Sequence, residues 1–196
     1  MGQLRIRPLH KLSDDQFDVV QDIFEQAYPD WLRLSIDELD GGKGSDRIAV
    51  AGMLGEVPVG FAAVRVLPRS GWSFLRYFAI TPDRRREGLG RRMWTELVEY
   101  LAVNVAPRRL LWEAQLPERA APGSPQHDAR STALAFYESI GGEVLPVHDY
   151  VMPTTLGLPA EPMLLMALDP AGPVKDPNGL VKALLSEHYG VERYQV

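Results

Sequence analysis

The sequence predicts a mixed α/β domain built on a mostly antiparallel sheet, and three observations carry that reading. Short apolar runs are crowded between Arg47 and Ile80 with only tight-turn residues between them, the pattern of an antiparallel meander. Segments with helical periodicity flank this meander on both sides. The elements read β-α-α-β-β-β-α-β-α-β-β before a C-terminal tail, which is not the regular β-α alternation of a parallel sheet.

The first strand spans Arg5 to Arg7 and is ended by Pro8. Ser13 to Gln16 has the S-x-x-Q form of a capping box. Phe17, Val20, Phe24, Ala27 and Tyr28 follow at helical spacing, and Pro29 ends that helix near Tyr28. A second short helix is predicted over Trp31 to Leu39, and Gly41, Gly42 and Gly44 mark a flexible connection. Strands follow over Ile48–Leu54, Val57–Leu67 and Trp72–Ile80, joined by turns at Gly55-Glu56 and Pro68–Gly71. Pro58 stands near the start of its strand, where a missing N–H matters least.

Thr81-Pro82-Asp83 closes the third strand of the meander. Leu89, Met93, Leu97 and Leu101, with Trp94 and Val98 beside them, form the apolar stripe of a strong helix that Pro107 stops. Leu110 to Gln115 is a buried strand. Leu116 to Arg130, with three prolines and no clear period, reads as a long loop and a candidate lid over the site. Ala133, Phe136, Tyr137 and Ile140 mark the next helix, ended by Gly141-Gly142. Val144–Met152 and Met163–Leu168 are two further strands, separated by PTTLGLPAEP. Asp169 to Asn178 reads as a Pro-rich linker, and Leu180, Val181, Leu184, Leu185 and Tyr189 as a final amphipathic helix. That helix either packs on the parent domain or forms a homodimer contact. The expected division is a domain over residues 1–168 and an appendage over 169–196.

Composition narrows the function classes. The 196 residues carry a formal charge of −5 and no cysteine, so disulfides and thiolate nucleophiles are out. A mildly acidic chain without aromatic interleaving in its basic stretch is not expected to bind nucleic acid. No apolar run reaches the roughly 18–20 residues of a membrane span, and the first residues lack a signal-peptide stretch, so a soluble, cytoplasmic protein without a membrane partner is expected. The histidines at 10, 127, 148 and 188 show no metal-ligand spacing, so no metal is expected.

The most informative segment is Arg85-Arg86-Glu87-Gly88-Leu89-Gly90, set between a strand and a strong helix. Glycines here let the chain turn tightly and approach a ligand, and the free N–H groups of the helix start form a site for an anion such as a pyrophosphate. Arg84, Arg85, Arg86, Arg91 and Arg92 surround the turn. They are unfavourable beside the positive end of a helix dipole, a conflict that an anionic ligand relieves. A solvated arginine cluster is the alternative. A P-loop is absent, and Met93 stands where a dinucleotide fingerprint needs its third glycine.

The stretch LRYFAITPDRRREGLGRRMWTELVEYL resembles the cofactor motif of the GNAT N-acetyltransferase superfamily, [QR]-x-x-G-x-[GA], met by Arg85, Gly88 and Gly90. ALAFYESIGGEV resembles a second segment of that family, A-x-x-(F/L)-Y-E-x-x-G-F. The resemblance covers roughly Leu4 to Leu168. It implies acetyl-CoA, or another acyl-CoA, as co-substrate. It assigns the pantetheine arm to the backbone of Phe78, Ala79 and Ile80, and the pyrophosphate to Arg85, Arg86, Glu87, Gly88, Leu89, Gly90 and Arg91. Two positions depart from the pattern: Arg86 stands where the family often has Gly, and Arg130 where it often has Asn.

Acyl transfer to an amine needs deprotonation, oxyanion stabilisation and a departing thiolate. A lysine-like amine of pKa about 10.4 costs roughly 4–5 kcal/mol to free at pH 7, whereas a thiol near 8.5 needs only about 2 kcal/mol, so a base matters more than an acid. The resemblance points to Tyr137 as the acid for the departing sulfur; a packing tyrosine is the plainer reading. No Asp or Glu lies between Glu56 and Asp83, which leaves Glu113 as the best base and His127 and Asp128 as weaker ones. An ion pair would explain Glu113 as well. The oxyanion donor is a backbone N–H near Phe78 to Ile80. The resemblance implies substrate entry between the first two helices and the late strands, where Glu25, Tyr28, Asp30 and Trp31, with His148, Asp149 and Tyr150 opposite, suit a cationic small-molecule amine; ordinary surface acids at a helix end are the plainer reading. A non-catalytic acyl-CoA sensor and an enzyme acting on peptide amines are the competing functions.

Overall fold

The computed structural model of the chain describes residues 2–42, 44–105, 109–153 and 161–191. The described residues form eight strands and four α-helices. The first strand with the second, the second with the third, and the eighth with the fifth, sixth and seventh pair antiparallel, in keeping with the mixed, mostly antiparallel sheet expected. No helix among the described residues is long and apolar enough to cross a membrane. The chain divides into two compact units, Met1–Val66 with Leu75–Arg108, and Leu67–Phe74 with Arg109–Val196.

The first unit holds β1 (Leu4–Pro8), α1 (Asp14–Ala27), β2 (Arg47–Leu54), most of β3 (Val57–Leu67) and of β4 (Trp72–Ile80), and α2 (Leu89–Asn104). The strands lie in the order β1-β2-β3-β4. On one face, α1 presses Val20, Ile23 and Phe24 against Ala49, Ala51, Met53, Phe61, Ala63, Tyr77 and Ala79. The capping box that starts α1 is complete: Gln16 N–H donates to Ser13 Oγ at 3.4 Å, and Ser13 N–H to Gln16 Oε1 at 3.3 Å.

The residues between these core positions serve α2. Gly52 and Gly60 are register partners on β2 and β3, and a bulge lies at Gly52/Met53. A Cβ on Gly52 would stand 2.8 Å from Met93 Sδ; one on Gly60 would fall on the same sulfur and 2.8 Å from the Ala79 carbonyl oxygen. Met93 is fully buried. The two glycines therefore form a slot that seats α2 on the sheet.

The expected helix over Trp31–Leu39 is instead two 3-10 turns, Asp30–Leu32 and Ile36–Glu38. The Tyr77 hydroxyl donates to the Leu32 carbonyl at 2.6 Å and accepts the Leu34 N–H at 3.1 Å. It thereby takes up backbone groups that a continuous helix would pair internally. Pro107, the expected stop of α2, and most of PTTLGLPAEP lie outside the described residues.

The second unit holds β5 (Leu110–Gln115), α3 (Pro125–Ser139), β6 (Glu143–Val144), β7 (Val151–Met152), β8 (Glu161–Leu168) and α4 (Pro177–Glu187). β8 pairs with β5 from Leu110↔Leu168 to Gln115↔Met163, and with β6 and β7. The single strand expected over Val144–Met152 is broken in two. Pro146 has no N–H to give, and Asp149 turns back with φ +57°.

The long loop expected over Leu116–Arg130 is shorter, because α3 already starts at Pro125. Ser124 caps it by accepting the His127 N–H at 3.2 Å, and Pro125 takes the first helical position. Hydrophobic periodicity missed this start because no residue of α3 is buried.

Leu180, Val181, Leu184 and Leu185 of α4 are buried within the chain, as the packing reading of the final helix requires. Glu187 fixes its end: the carboxylate accepts the Arg69 N–H at 2.8 Å and the Ser70 N–H at 3.0 Å in the turn between β3 and β4. Its side chain is only 4% exposed.

The Met93 slot yields a direct test. Gly60→Ala is expected to lower unfolding stability by about 1–3 kcal/mol through overpacking. A urea titration checks this, and an unchanged midpoint would contradict the slot.

Candidate active site

β4 ends at Ile80, a 3-10 turn spans Pro82–Arg84, and α2 begins after Gly88. Gly88 is left-handed, with φ +76° and ψ 4°, and no side chain caps the helix. No acidic residue lies in the first turn of α2, while Arg91 and Arg92 do. This helix start is thus uncapped and positive, with its first N–H groups turned outward for an anion. Arg85, Arg86, Glu87 and Gly88 are exposed, and Leu89 is buried, anchoring the turn to the core.

The arginines around this turn are not equivalent. Arg84 is held by Glu87 at 2.8 Å and 3.1 Å. Arg92 donates to the Gly2 carbonyl at 2.6 Å. Arg85 Nε lies 3.4 Å from the Ile80 carbonyl oxygen, at the end of β4. Arg86 sits at φ +67°, a left-handed conformation that a residue with a Cβ adopts at a cost of roughly 1–2 kcal/mol.

One side chain takes up both backbone groups of Phe78. The Tyr28 hydroxyl accepts the Phe78 N–H at 2.8 Å and donates to the Phe78 carbonyl at 2.9 Å. Tyr28 reaches this point from the C-cap of α1, where its ring packs edge-on against Tyr77 at 4.9 Å. Burial pushes its hydroxyl up to about 12, outweighing the opposite pull of the Phe78 backbone bond. Ala79, by contrast, points into the α1 side of the core. Phe78 packs edge-on against Trp94 of α2 at 5.8 Å.

The turn after α1 is stiffened by Arg33, which donates to the carbonyls of Glu25 at 2.9 Å and Tyr28 at 3.2 Å and pairs with Asp30. Trp31 lies in the same turn. Glu25, Tyr28, Asp30 and Trp31 therefore lie in one short, braced stretch whose tyrosine is tied to β4, while His148, Asp149 and Tyr150 belong to the second unit.

In the second unit, the Tyr137 ring is half-exposed and packs on Trp112 at 5.2 Å and Phe136 at 5.4 Å. The end of α3 is drawn onto that indole by Gly142, whose N–H donates to the Tyr137 carbonyl at 2.9 Å. A Cβ on Gly142 would lie 2.6 Å from Trp112 Cζ2. Glu113 follows Trp112 in β5, so it projects from the other face of the strand. The Tyr137 ring thus packs on the side chain that points away from the Glu113 face of β5. Glu113 instead accepts hydrogen bonds from the Tyr150 hydroxyl at 2.5 Å (Oε1) and from the Tyr189 hydroxyl at 2.8 Å (Oε1) and 2.9 Å (Oε2).

Other candidates are placed as follows. Arg130 donates to the Leu116 carbonyl at 3.1 Å and lies 3.7 Å from Glu161. His127 lies 3.4 Å from exposed Asp128. Tyr189 was not singled out for chemistry in the sequence, where it reads as one more apolar position on the last helix. Its partner is remote in sequence, and no local spacing reveals such a bond.

The sequence model of the acetyltransferase (GNAT) family matches residues 9–123, more than half of the chain. The chain belongs to the GNAT acetyltransferase family. Three solved structures show the same fold at low identity. A GNAT-family protein from Bacteroides thetaiotaomicron is 20% identical with a TM-score of 0.71, over 95% of this chain and 99% of that one. An aminoglycoside 6'-N-acetyltransferase complexed with coenzyme A is 19% identical, TM-score 0.59, over 83% and 95%. The ribosomal-protein-S18-alanine N-acetyltransferase from Escherichia coli is 23% identical, TM-score 0.56, over 89% and 98%. No curated protein matches the chain. In this GNAT chain the motif segment spans the turn Arg85–Gly88 and the first residues of α2, and Arg86 takes a left-handed conformation there.

Two outcomes check this geometry. Arg86→Gly is expected to raise stability by up to about 1 kcal/mol, since glycine removes the left-handed penalty but adds freedom to the unfolded chain; urea midpoints measure it. The raised Tyr28 hydroxyl means that the folded state holds its proton longer than the unfolded one. Its contribution is fully present below pH 10 and is lost as pH rises from about 10 toward 12. Alkaline unfolding curves of wild type and Tyr28→Phe should diverge below that window and converge above it.

Proposed function

We propose that the protein is an N-acetyltransferase that moves an acetyl group from acetyl-CoA to a primary amine of a small molecule by direct attack. The observation that carries this is the uncapped, arginine-ringed start of α2 at Gly88, directly after β4. Backbone N–H groups and a helix dipole there suit a pyrophosphate. The similar structure solved with coenzyme A supports the co-substrate.

In this reading Arg85 to Arg91 hold the pyrophosphate, and the β4 backbone at Phe78 to Ile80 takes the pantetheine arm and the thioester carbonyl. Asp30 and Trp31 recognise the cationic amine. Glu113 takes a proton from the ammonium, and the freed nitrogen attacks the carbonyl carbon. A β4 N–H stabilises the oxyanion, the C–S bond breaks, Tyr137 gives its proton to the departing sulfur, and the second proton of the attacking nitrogen restores the Tyr137 hydroxyl.

Phe78 adds a condition. A thioester carbonyl can use the Phe78 N–H only after the Tyr28 hydroxyl has left it. Tyr28→Phe is therefore expected to bind acetyl-CoA several-fold more tightly than wild type by calorimetry; weaker binding would mean that the hydroxyl assists the ligand instead. The same closure, with the absence of a carboxylate on β4, favours the second reading, a non-catalytic acyl-CoA sensor.

Thermal unfolding with acetyl-CoA, CoA and ATP tests the site. A ligand at 100 times its dissociation constant adds about 2.7 kcal/mol, so acetyl-CoA and CoA should raise the midpoint and ATP should not. An amine panel with release of CoA thiol as readout then separates enzyme from sensor. Tyr137→Phe should lower kcat by roughly a hundredfold or more if the tyrosine is the acid. An unchanged kcat would leave it as a packing residue.

A further inference from the structure

We infer that the C-terminal segment belongs to the reaction machinery, with Tyr189 as the residue that positions the Glu113 carboxylate. This rests on Glu113 acting as the base, as proposed above. Three consecutive residues at the end of α4 dock in different ways. Glu187 caps the turn at Arg69 and Ser70. The His188 ring packs on buried Phe74 at 4.5 Å. Tyr189 packs on His188 at 4.6 Å and directs its hydroxyl to Glu113.

The geometry of that last contact is specific. A hydroxyl has one proton, and Tyr189 holds it between both carboxylate oxygens, at 2.8 Å and 2.9 Å. Such a straddling position orients the carboxylate plane. Tyr150, from the segment just before β7, binds Oε1 at 2.5 Å and sets its rotation within that plane. A glutamate side chain has three rotatable bonds, and a base is effective only when its oxygen is held at the reacting proton. In the step served, R–NH3+ gives a proton to the carboxylate, leaving R–NH2 and a neutral Glu113 that returns the proton to solvent after transfer. Neither tyrosine changes covalently.

A plain brace is the competing role, with α4 stabilising the fold and the hydroxyl only filling a hydrogen bond. Activity separates the two. Tyr189→Phe keeps the ring against His188 and Phe74 and removes only the hydroxyl. The full-length variant is compared with wild type, Tyr150→Phe, Glu113→Gln and the Tyr189→Phe/Glu113→Gln double variant. The assay uses acetyl-CoA and the fastest amine of the panel. A hydrogen bond to a charged carboxylate is worth a factor of roughly ten to a hundred. Tyr189→Phe should therefore lower kcat at least tenfold, with KM for acetyl-CoA within about twofold and the acetyl-CoA thermal shift retained. The double variant should be no slower than Glu113→Gln alone, since a positioning residue has nothing left to position. A wild-type kcat in Tyr189→Phe with a slow Glu113→Gln overturns the inference and leaves the base in place. A loss in Tyr189→Phe that adds in full to that of Glu113→Gln also overturns it, since that is the mark of a brace. A wild-type kcat in Glu113→Gln removes the base itself, and the positioning role falls with it.

Discussion

The seating of Met93 between Gly52 and Gly60 is the contact on which the candidate site depends. A helix start can serve as an anion site only if it is held at one place relative to the strand that carries the rest of the ligand. Here one unbranched side chain enters a slot made by two paired glycines, and the carbonyl of Ala79 bounds the same slot. The contact that fixes α2 is therefore also a contact with β4. Strand alternation keeps both functions available on β2, since Met53 faces the α1 core while Gly52 faces Met93.

Electrostatics around that turn is set against the helix rather than for it. Helix starts are ordinarily eased by acidic residues, and α1 shows this with Asp14 and Asp15 in its first turn. α2 has none, and arginines stand in their place. Glu87 pairs with Arg84. α4 also lacks acids in its first turn, but the Asp176 side chain caps it, whereas α2 starts uncapped among arginines, which suits an anionic ligand. The strained Arg86 belongs to the same balance: a backbone cost is carried at the position where the chain must turn toward that ligand.

Much of this was legible in the sequence, and the boundary has physical reasons. The meander, the capping box at Ser13 and the α2 stripe are local patterns, and local patterns are what periodicity and capping rules read. The glycine turn was legible because its chemistry depends on backbone, which glycine spacing reports directly. α3 was placed too late because it buries nothing, so its true start was signalled only by Ser124-Pro125. The helix expected after Pro29 failed because a distant hydroxyl, that of Tyr77, competes for its backbone. Tyr189 escaped notice for the same reason: its meaning lies in a bond to a residue far away in sequence.

These last cases share one device. Four tyrosines, Tyr28, Tyr77, Tyr150 and Tyr189, place a phenolic hydroxyl on a backbone or carboxylate group of another segment. A tyrosine suits this work because its ring supplies packing and its tip supplies one directed proton at little conformational cost. In a chain with no cysteine and four histidines, hydroxyls are the natural means of fixing loops and carboxylates. The four differ in what they hold. Tyr77 holds structure, pinning Leu32 and Leu34. Tyr28 holds a group the proposed reaction needs, so its bond has to be exchangeable. Tyr150 and Tyr189 hold the group proposed to do the chemistry, so theirs have to persist. An acyl transfer that relies on one strand backbone and one carboxylate requires both behaviours at once. The raised hydroxyl of Tyr28 keeps its proton through the physiological range, so that its bond can exchange without a change of charge.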